Sequence, residues 1–166
     1  MLRFLAAFAL IVLGLFTAEL TPPVQQAFVM PWTRELAHVC AALITAFDGH
    51  AAAAGEVIRS TSNGFAVAIE SGCNGVEASI VLVAAILAFR APWLRKLAGV
   101  LGGVLAVQLA NVLRVITLFY LGQWSLAAFE WAHLYVWQAL IMVDAMVVWL
   151  LWLRWVRAPA PSRAAA

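Results

Sequence analysis

Residues 97–121 read LAGVLGGVLAVQLANVLRVITLFYL, an apolar run interrupted by one ionisable residue, Arg114. A helix needs about 20 apolar residues to cross ~30 Å of hydrocarbon, so this stretch is long enough to span a membrane. The whole chain has the same character. Of its 166 residues 66% are hydrophobic and 11% charged, whereas soluble domains carry roughly 25% charged residues. A water-soluble globule, a disordered chain and a coiled coil are excluded, since each needs far more polar residues. The formal net charge of +2 is small and scattered and indicates no nucleic-acid partner. The length suits one domain, 1–157, followed by an Ala/Pro-rich tail, 158–166, expected to be disordered.

Working outward, Phe4 to Ala18 carry no charge and follow Met1-Leu2-Arg3. A cleaved signal peptide would end in an A-x-A pattern. Phe16-Thr17-Ala18-Glu19-Leu20 matches it poorly, so the segment reads as a retained helix. Two further spans run from Gly75 to Phe89 and from Leu134 to Leu153, and they contain Glu77 and Asp144. A charge in mid-membrane costs about 3 kcal/mol even on the lenient insertion scale, which makes Glu77, Arg114 and Asp144 site candidates. The expected fold is an all-α integral membrane protein with about four transmembrane helices.

Basic residues set the expected orientation. Arg90, Arg95 and Lys96 fill the connection before residue 97, while Arg154, Arg157 and Arg163 follow the last span. The positive-inside rule puts both groups, Arg3 and the two termini in the cytoplasm. The start of the Gly75 helix and the Gly122–Trp131 connection are then outer. Trp149, Trp152 and Trp155 form an inner aromatic belt, with Tyr120, Trp124, Trp131 and Tyr135 at the outer side.

Parity then requires zero or two crossings between Glu19 and Cys73. One helical segment stands out there, Trp32–Phe47, after Pro22-Pro23 and Pro31. It holds Arg34, Glu35 and His38, and it reads as an interfacial helix on the outer face. Leu36, Val39, Leu43 and Phe47 recur at helical spacing as its expected apolar stripe. Val57-Ile58-Arg59 and Phe65–Ile69 flank Ser62-Asn63-Gly64, a hairpin signal. The hairpin feeds through Glu70-Ser71-Gly72-Cys73-Asn74-Gly75 into the next span.

Cys73 therefore lies on a glycine-flanked turn just before a helix, where the helix dipole favours a thiolate. A free cysteine is otherwise a small hydrophobe, which suits Cys40 in its apolar run. A Cys40–Cys73 disulfide also remains open on an oxidising face. Arg114 shares one side of its helix with Gln108 and Asn111 and stays charged under burial. It is either a fixed donor to an oxyanion or a structural partner of Asp144 or Glu77. His133 opens the last span at the outer boundary and can shuttle a thiol proton, or it is an ordinary interfacial aromatic. His38 and His50 are expected on the same side. Glu70 and Glu77 flank Cys73 as orienting candidates. No HExxH, H-x3-H or CxxC spacing points to a metal, and no cofactor is expected.

The run Glu70-Ser71-Gly72-Cys73-Asn74-Gly75-Val76-Glu77, then Asn111-x-x-Arg114-Val115-Ile116, then a late His133 resembles exosortases and archaeosortases. Phe65-Ala66-Val67, Leu118–Trp124, Trp131–Tyr135 and the small size resemble exosortase H, over nearly the whole chain up to Trp155. Asn74 departs from the wider family, where many members have Ser after the Cys. The resemblance implies a membrane-embedded cysteine protease/transpeptidase with Cys73, Arg114 and His133 as catalytic residues, supported by Asn74, Glu77 and Asn111. It implies exported substrates anchored in the bilayer by a C-terminal sorting signal (a short motif, IPTLxxWG for exosortase H, then an apolar helix and a basic tail) and a transfer of the cleaved protein to an acceptor. The implied location is the bacterial inner membrane with the site facing the periplasm. A second class of reading is a non-catalytic membrane assembly factor with Arg114 paired to Asp144 or Glu77. A third, a channel or carrier subunit, is disfavoured by the lack of internal repeats.

Overall fold

The computed structural model describes residues 1–158, so all but Ala158 of the expected disordered tail lies outside the described residues. The protein is an all-α membrane protein carrying one small sheet. In chain order it has α1 (Leu2–Glu19), a short turn α2 (Pro22–Val24), a π-helical turn Gln25–Val29, α3 (Met30–Asp48), β1 (Ala51–Ala54), β2 (Val57–Ser60), β3 (Ala66–Ala68), α4 (Val76–Ala88), α5 (Trp93–Trp124), α6 (Leu126–Trp131), a second π-helical turn Ala132–Val136, and α7 (Trp137–Arg157).

Three helices are long and apolar enough to cross a membrane: Leu2–Glu19, Trp93–Trp124 and the continuous Leu126–Arg157. The fourth expected span, α4, has only 13 residues. It rises about 20 Å and falls short of the hydrocarbon thickness unless the turn before it adds depth. The connection expected at Gly122–Trp131 is itself mostly helical. Only Ser125, with extended φ and ψ, breaks the run, and its hydroxyl accepts from the Ala128 N–H to cap α6.

Small residues let the long helices meet. A Cβ on Gly99 would collide with Trp152 Nε1, and one on Gly103 would lie 2.8 Å from Leu82. This is the close approach that apolar helices need where lipid supplies no hydrophobic drive. At that end of the bundle Trp152 Nε1 donates to the Arg95 carbonyl at 2.9 Å, Arg95 Nη1 donates to the Val156 carbonyl at 2.7 Å, and Arg157 lies over Phe89. Phe4 stacks there on Trp149. The basic groups at residues 3, 90–96 and 154–157 thus gather at one end.

The other end is built by α3 and the sheet. α3 buries Thr33, Leu36, Ala37, Cys40, Ala41 and Ile44, a row at the helical spacing of three and four. This corrects the expected stripe. Only Leu36 of it is buried, whereas Val39, Leu43 and Phe47 point outward and Phe47 is 86% exposed. The small residues Ala37, Cys40 and Ala41 let the sheet sit close on the opposite face. Gly49, at φ +76, ends the helix in a left-handed cap. The expected hairpin forms with Ile58 opposite Val67 and Arg59 opposite Ala66. A third strand, the tetra-alanine β1, pairs antiparallel with β2 to give the order β1-β2-β3. Alanine is a poor strand former, so the sequence carried no sign of it.

Candidate functional site

β3 leads into a loop, Ile69–Gly75, that carries Cys73 and ends at α4. Cys73 N–H donates to the Glu70 carbonyl at 2.9 Å. Glycines hold the turn: Gly72 has φ +87 and Gly75 φ +76, values that cost other L residues about 1–2 kcal/mol. At Gly75 a side chain would also collide with the Gln108 amide, 2.8 Å away. Gly72 N–H donates to Glu77 Oε1 at 2.6 Å, so Glu77 in the first turn of α4 reaches back to hold the loop.

Asn74 fixes the loop from beneath. It is 0% exposed. Its Oδ1 accepts from Val76 N–H at 3.0 Å, its Nδ2 donates to Thr33 Oγ1 at 3.1 Å, and its carbonyl accepts from Trp32 Nε1 at 3.1 Å. On the other side Ser79 Oγ donates to the Gly75 carbonyl, and Gln108 Nε2 donates to Ser79 Oγ. Trp32, Thr33 and Ser79 were not singled out in the sequence. They lie on separate helices from the loop or beyond it, and no local pattern marks them. Gln108 was noted in the sequence only for sharing a helical side with Asn111 and Arg114, and its bond to Ser79 gives that position a role.

Three side chains converge on this turn. Arg114 Nη2 donates to Cys73 Sγ at 3.4 Å, and His133 Nε2 lies 3.5 Å from the same sulfur. The three line one cavity of about 20 Å³ together with Val67, Ala68 and Leu118, room for about one small group. A larger space of about 520 Å³ shares Ala68 and Ile69 with it and continues to Thr33 and Glu56. Arg114 is 1% exposed, on a helix packed between the sheet side and the bundle. His133 sits on the π-helical turn Ala132–Val136 rather than at a helix start; such turns re-aim side chains and are frequent at functional sites.

The remaining candidates separate from these. Cys40 and Cys73 are both free, so the disulfide does not form. Cys40 is fully buried and its thiol is pushed up to about 12 by burial. His38 is exposed on α3, and the His50 backbone N–H, not its ring, bonds Asp48. Among the described residues the one ion pair is Arg34–Glu56, so Arg114 pairs with neither Asp144 nor Glu77. Asn111 is buried with both amide atoms unbonded, and Arg114 Nε is unbonded too. Asn111 is not among the residues that line the cavity. Burial raises the Cys73 thiol above its ordinary value; Arg114 opposes this, and Glu77 and Glu70 add to it. That reverses the expectation from the helix N-terminus alone. The shift favours the thiol over the thiolate. Among the described residues no cluster of His, Cys, Asp or Glu could hold a metal.

A family model, Transmembrane exosortase (Exosortase_EpsH), matches residues 2–150. The chain belongs to the transmembrane exosortases. No curated protein and no solved structure matches it. The match spans α1, the sheet, the whole Cys73 loop and most of α7, so all three converging residues of this exosortase lie inside it. The exosortase is accordingly a multi-pass membrane protein of a family that processes C-terminal sorting signals.

Proposed function

We propose that this exosortase is a cysteine transpeptidase with Cys73 as nucleophile, Arg114 as oxyanion donor and His133 as acid–base. One observation supports this above the others: a single thiol touched by both a guanidinium and an imidazole in one small cavity. His133 Nε2 takes the proton of the Cys73 thiol, which burial keeps protonated at rest, and the thiolate attacks the scissile carbonyl carbon. The carbonyl oxygen becomes an oxyanion beside Arg114, a charge buried in a low-dielectric site where such stabilisation is largest. Collapse breaks the C–N bond, and His133 returns the proton to the leaving amine. A thioester to Cys73 remains. An amine of the acceptor, or water, then attacks it, loses its proton to His133, and releases Cys73 as thiolate to recover that proton.

The substrates are exported proteins ending in a short motif, an apolar helix and a basic tail. The positive-inside rule, applied to the basic cluster at the far end of the bundle, faces the Cys73 end to the periplasm of a bacterial inner membrane, with both termini cytoplasmic. In a strain carrying a tailed substrate, Cys73→Ser should accumulate uncleaved precursor while the enzyme stays in the membrane at normal abundance, and Cys40→Ser should process normally. Processing by Cys73→Ser would refute the nucleophile assignment, and so would equal loss in Cys40→Ser.

A further inference from the structure

The cavity that holds Cys73, Arg114 and His133 has about 20 Å³. That takes one carbonyl group, and the rest of a peptide must run along its rim. β3 forms part of that rim, because Val67 and Ala68 line the cavity. β3 is also the open edge of the sheet. At the opposite edge β1 packs on α3, where Thr45 Oγ1 donates to the Ala51 carbonyl.

The ladder shows which groups of β3 are free. Ser60 N–H donates to the Phe65 carbonyl at 2.7 Å, and Ile69 N–H donates to the Glu56 carbonyl at 2.9 Å. Antiparallel pairs alternate, so Phe65, Val67 and Ile69 turn their backbone groups toward β2, while Ala66 and Ala68 turn theirs away. No other element of the described residues bonds them. Both alanines are exposed, and the strand carries no charge and no proline to repel a partner; its shortness is its one protection against stray pairing.

We propose that the free edge of β3, Ala66–Ala68, is the docking strand for the extended segment of substrate that carries the scissile bond, which pairs with it as a fourth strand. This rests on the reading of Cys73 as the nucleophile of a protein substrate. A paired strand lies about 4.8 Å from β3, on the side where Cys73, Arg114 and His133 meet. Main-chain pairing supplies affinity without dictating side chains, and the alanine methyls leave the backbone approachable.

The test uses the full-length enzyme in membranes with Cys73→Ala to trap precursor, a cysteine at Ala66 or Ala68, and single cysteines stepped along the substrate segment. Cross-strand Cβ atoms come within disulfide reach only at every second residue, so crosslinks with a period of two are expected. Crosslinks at consecutive positions, or none while precursor accumulates, would overturn the docking edge alone. Failure of Cys73→Ala to accumulate precursor would overturn the underlying reading as well. Separately, Ala68→Pro in the otherwise native enzyme removes one free-edge donor and leaves the β2 ladder intact. It should slow processing about tenfold or more, with unchanged membrane abundance and unchanged alkylation of Cys73 by a small reagent. Processing at the native rate would overturn the proposal.

Discussion

Asn74 Nδ2 and Thr33 Oγ1, 41 residues apart in the chain, meet at 3.1 Å inside the protein. The contact ties the residue next to the thiol to the α3 helix, and Trp32 bonds the Asn74 carbonyl beside it. The turn bearing Cys73 is therefore held by α3 as much as by α4.

Replacing Asn74 with Ala should strand the buried Val76 N–H and loosen the turn. An orphaned buried donor costs about 1–3 kcal/mol. Thr33 keeps its bond to the Val29 carbonyl at 2.8 Å, so the loss should fall mainly on the loop. Thermal unfolding in detergent should show a modest drop and precursor processing a larger one. Equal, small effects on both would mean that Asn74 does not position the thiol.

Arg114→Lys should insert and fold yet lose most processing. The guanidinium presents a planar fork of donors, of which Nη2 contacts Cys73 Sγ, while an ammonium is a point charge that cannot serve sulfur and oxyanion in the same geometry. We expect a loss of about 100-fold or more, within the range seen when one oxyanion donor is removed. Near-native processing would show that charge alone suffices.

Burial holds the Cys73 thiol above its ordinary value against the pull of Arg114, with Glu77 and Glu70 adding to the rise. Since the raised group is an acid, the thiolate fraction at neutral pH is smaller than for a free cysteine. Alkylation by an uncharged reagent should therefore climb steadily with pH and reach half-maximum at a higher pH than for a free cysteine in the same buffer. Arg114→Met should move that midpoint higher. A rate already maximal at pH 7 would indicate a preformed thiolate and contradict the proton transfer assigned to His133.

Gly75→Ala should damage the enzyme more than Gly72→Ala. Both glycines have positive φ, but a methyl at Gly75 would lie 2.8 Å from Gln108 Nε2, while at Gly72 it would meet nothing within 4 Å. Gly72→Ala should cost the ~1–2 kcal/mol of a left-handed backbone. Gly75→Ala also pushes the Gln108 amide away from Ser79 Oγ, whose hydroxyl holds the Gly75 carbonyl. Membrane abundance and processing of the two variants, measured side by side, check the order.

Reporter fusions at Gly49 and Arg95 should report opposite sides of the membrane. The two positions lie at the sheet end and the basic end of the protein, and the basic residues should remain cytoplasmic. The same side for both would refute the orientation.

Composition and hydropathy by themselves determined that this chain is helical and membrane-bound, because an apolar run of span length has few other stable destinations. Local turn chemistry likewise determined the β2–β3 hairpin at Asn63-Gly64 and the strand-to-helix turn that carries Cys73. Cys73, Arg114 and His133 were legible as candidates as well, the cysteine from its glycine-flanked turn, the arginine as a charge inside an apolar run and the histidine from its place at the outer boundary, while their joint role was only implied by the family resemblance. Only the tertiary structure decided what those residues touch. Which face of α3 is buried depended on small residues meeting a sheet whose first strand, Ala51–Ala54, has no strand propensity of its own. That Arg114 reaches a sulfur and not a carboxylate, and that burial raises the thiol against the pull of Arg114, followed from how α5, the loop and the π-helical turn at His133 pack. Hydropathy and propensity act within a few residues of chain, whereas hydrogen bonds and desolvation at the site arise between segments 40 to 60 residues apart, such as Thr33 with Asn74 and Cys73 with His133.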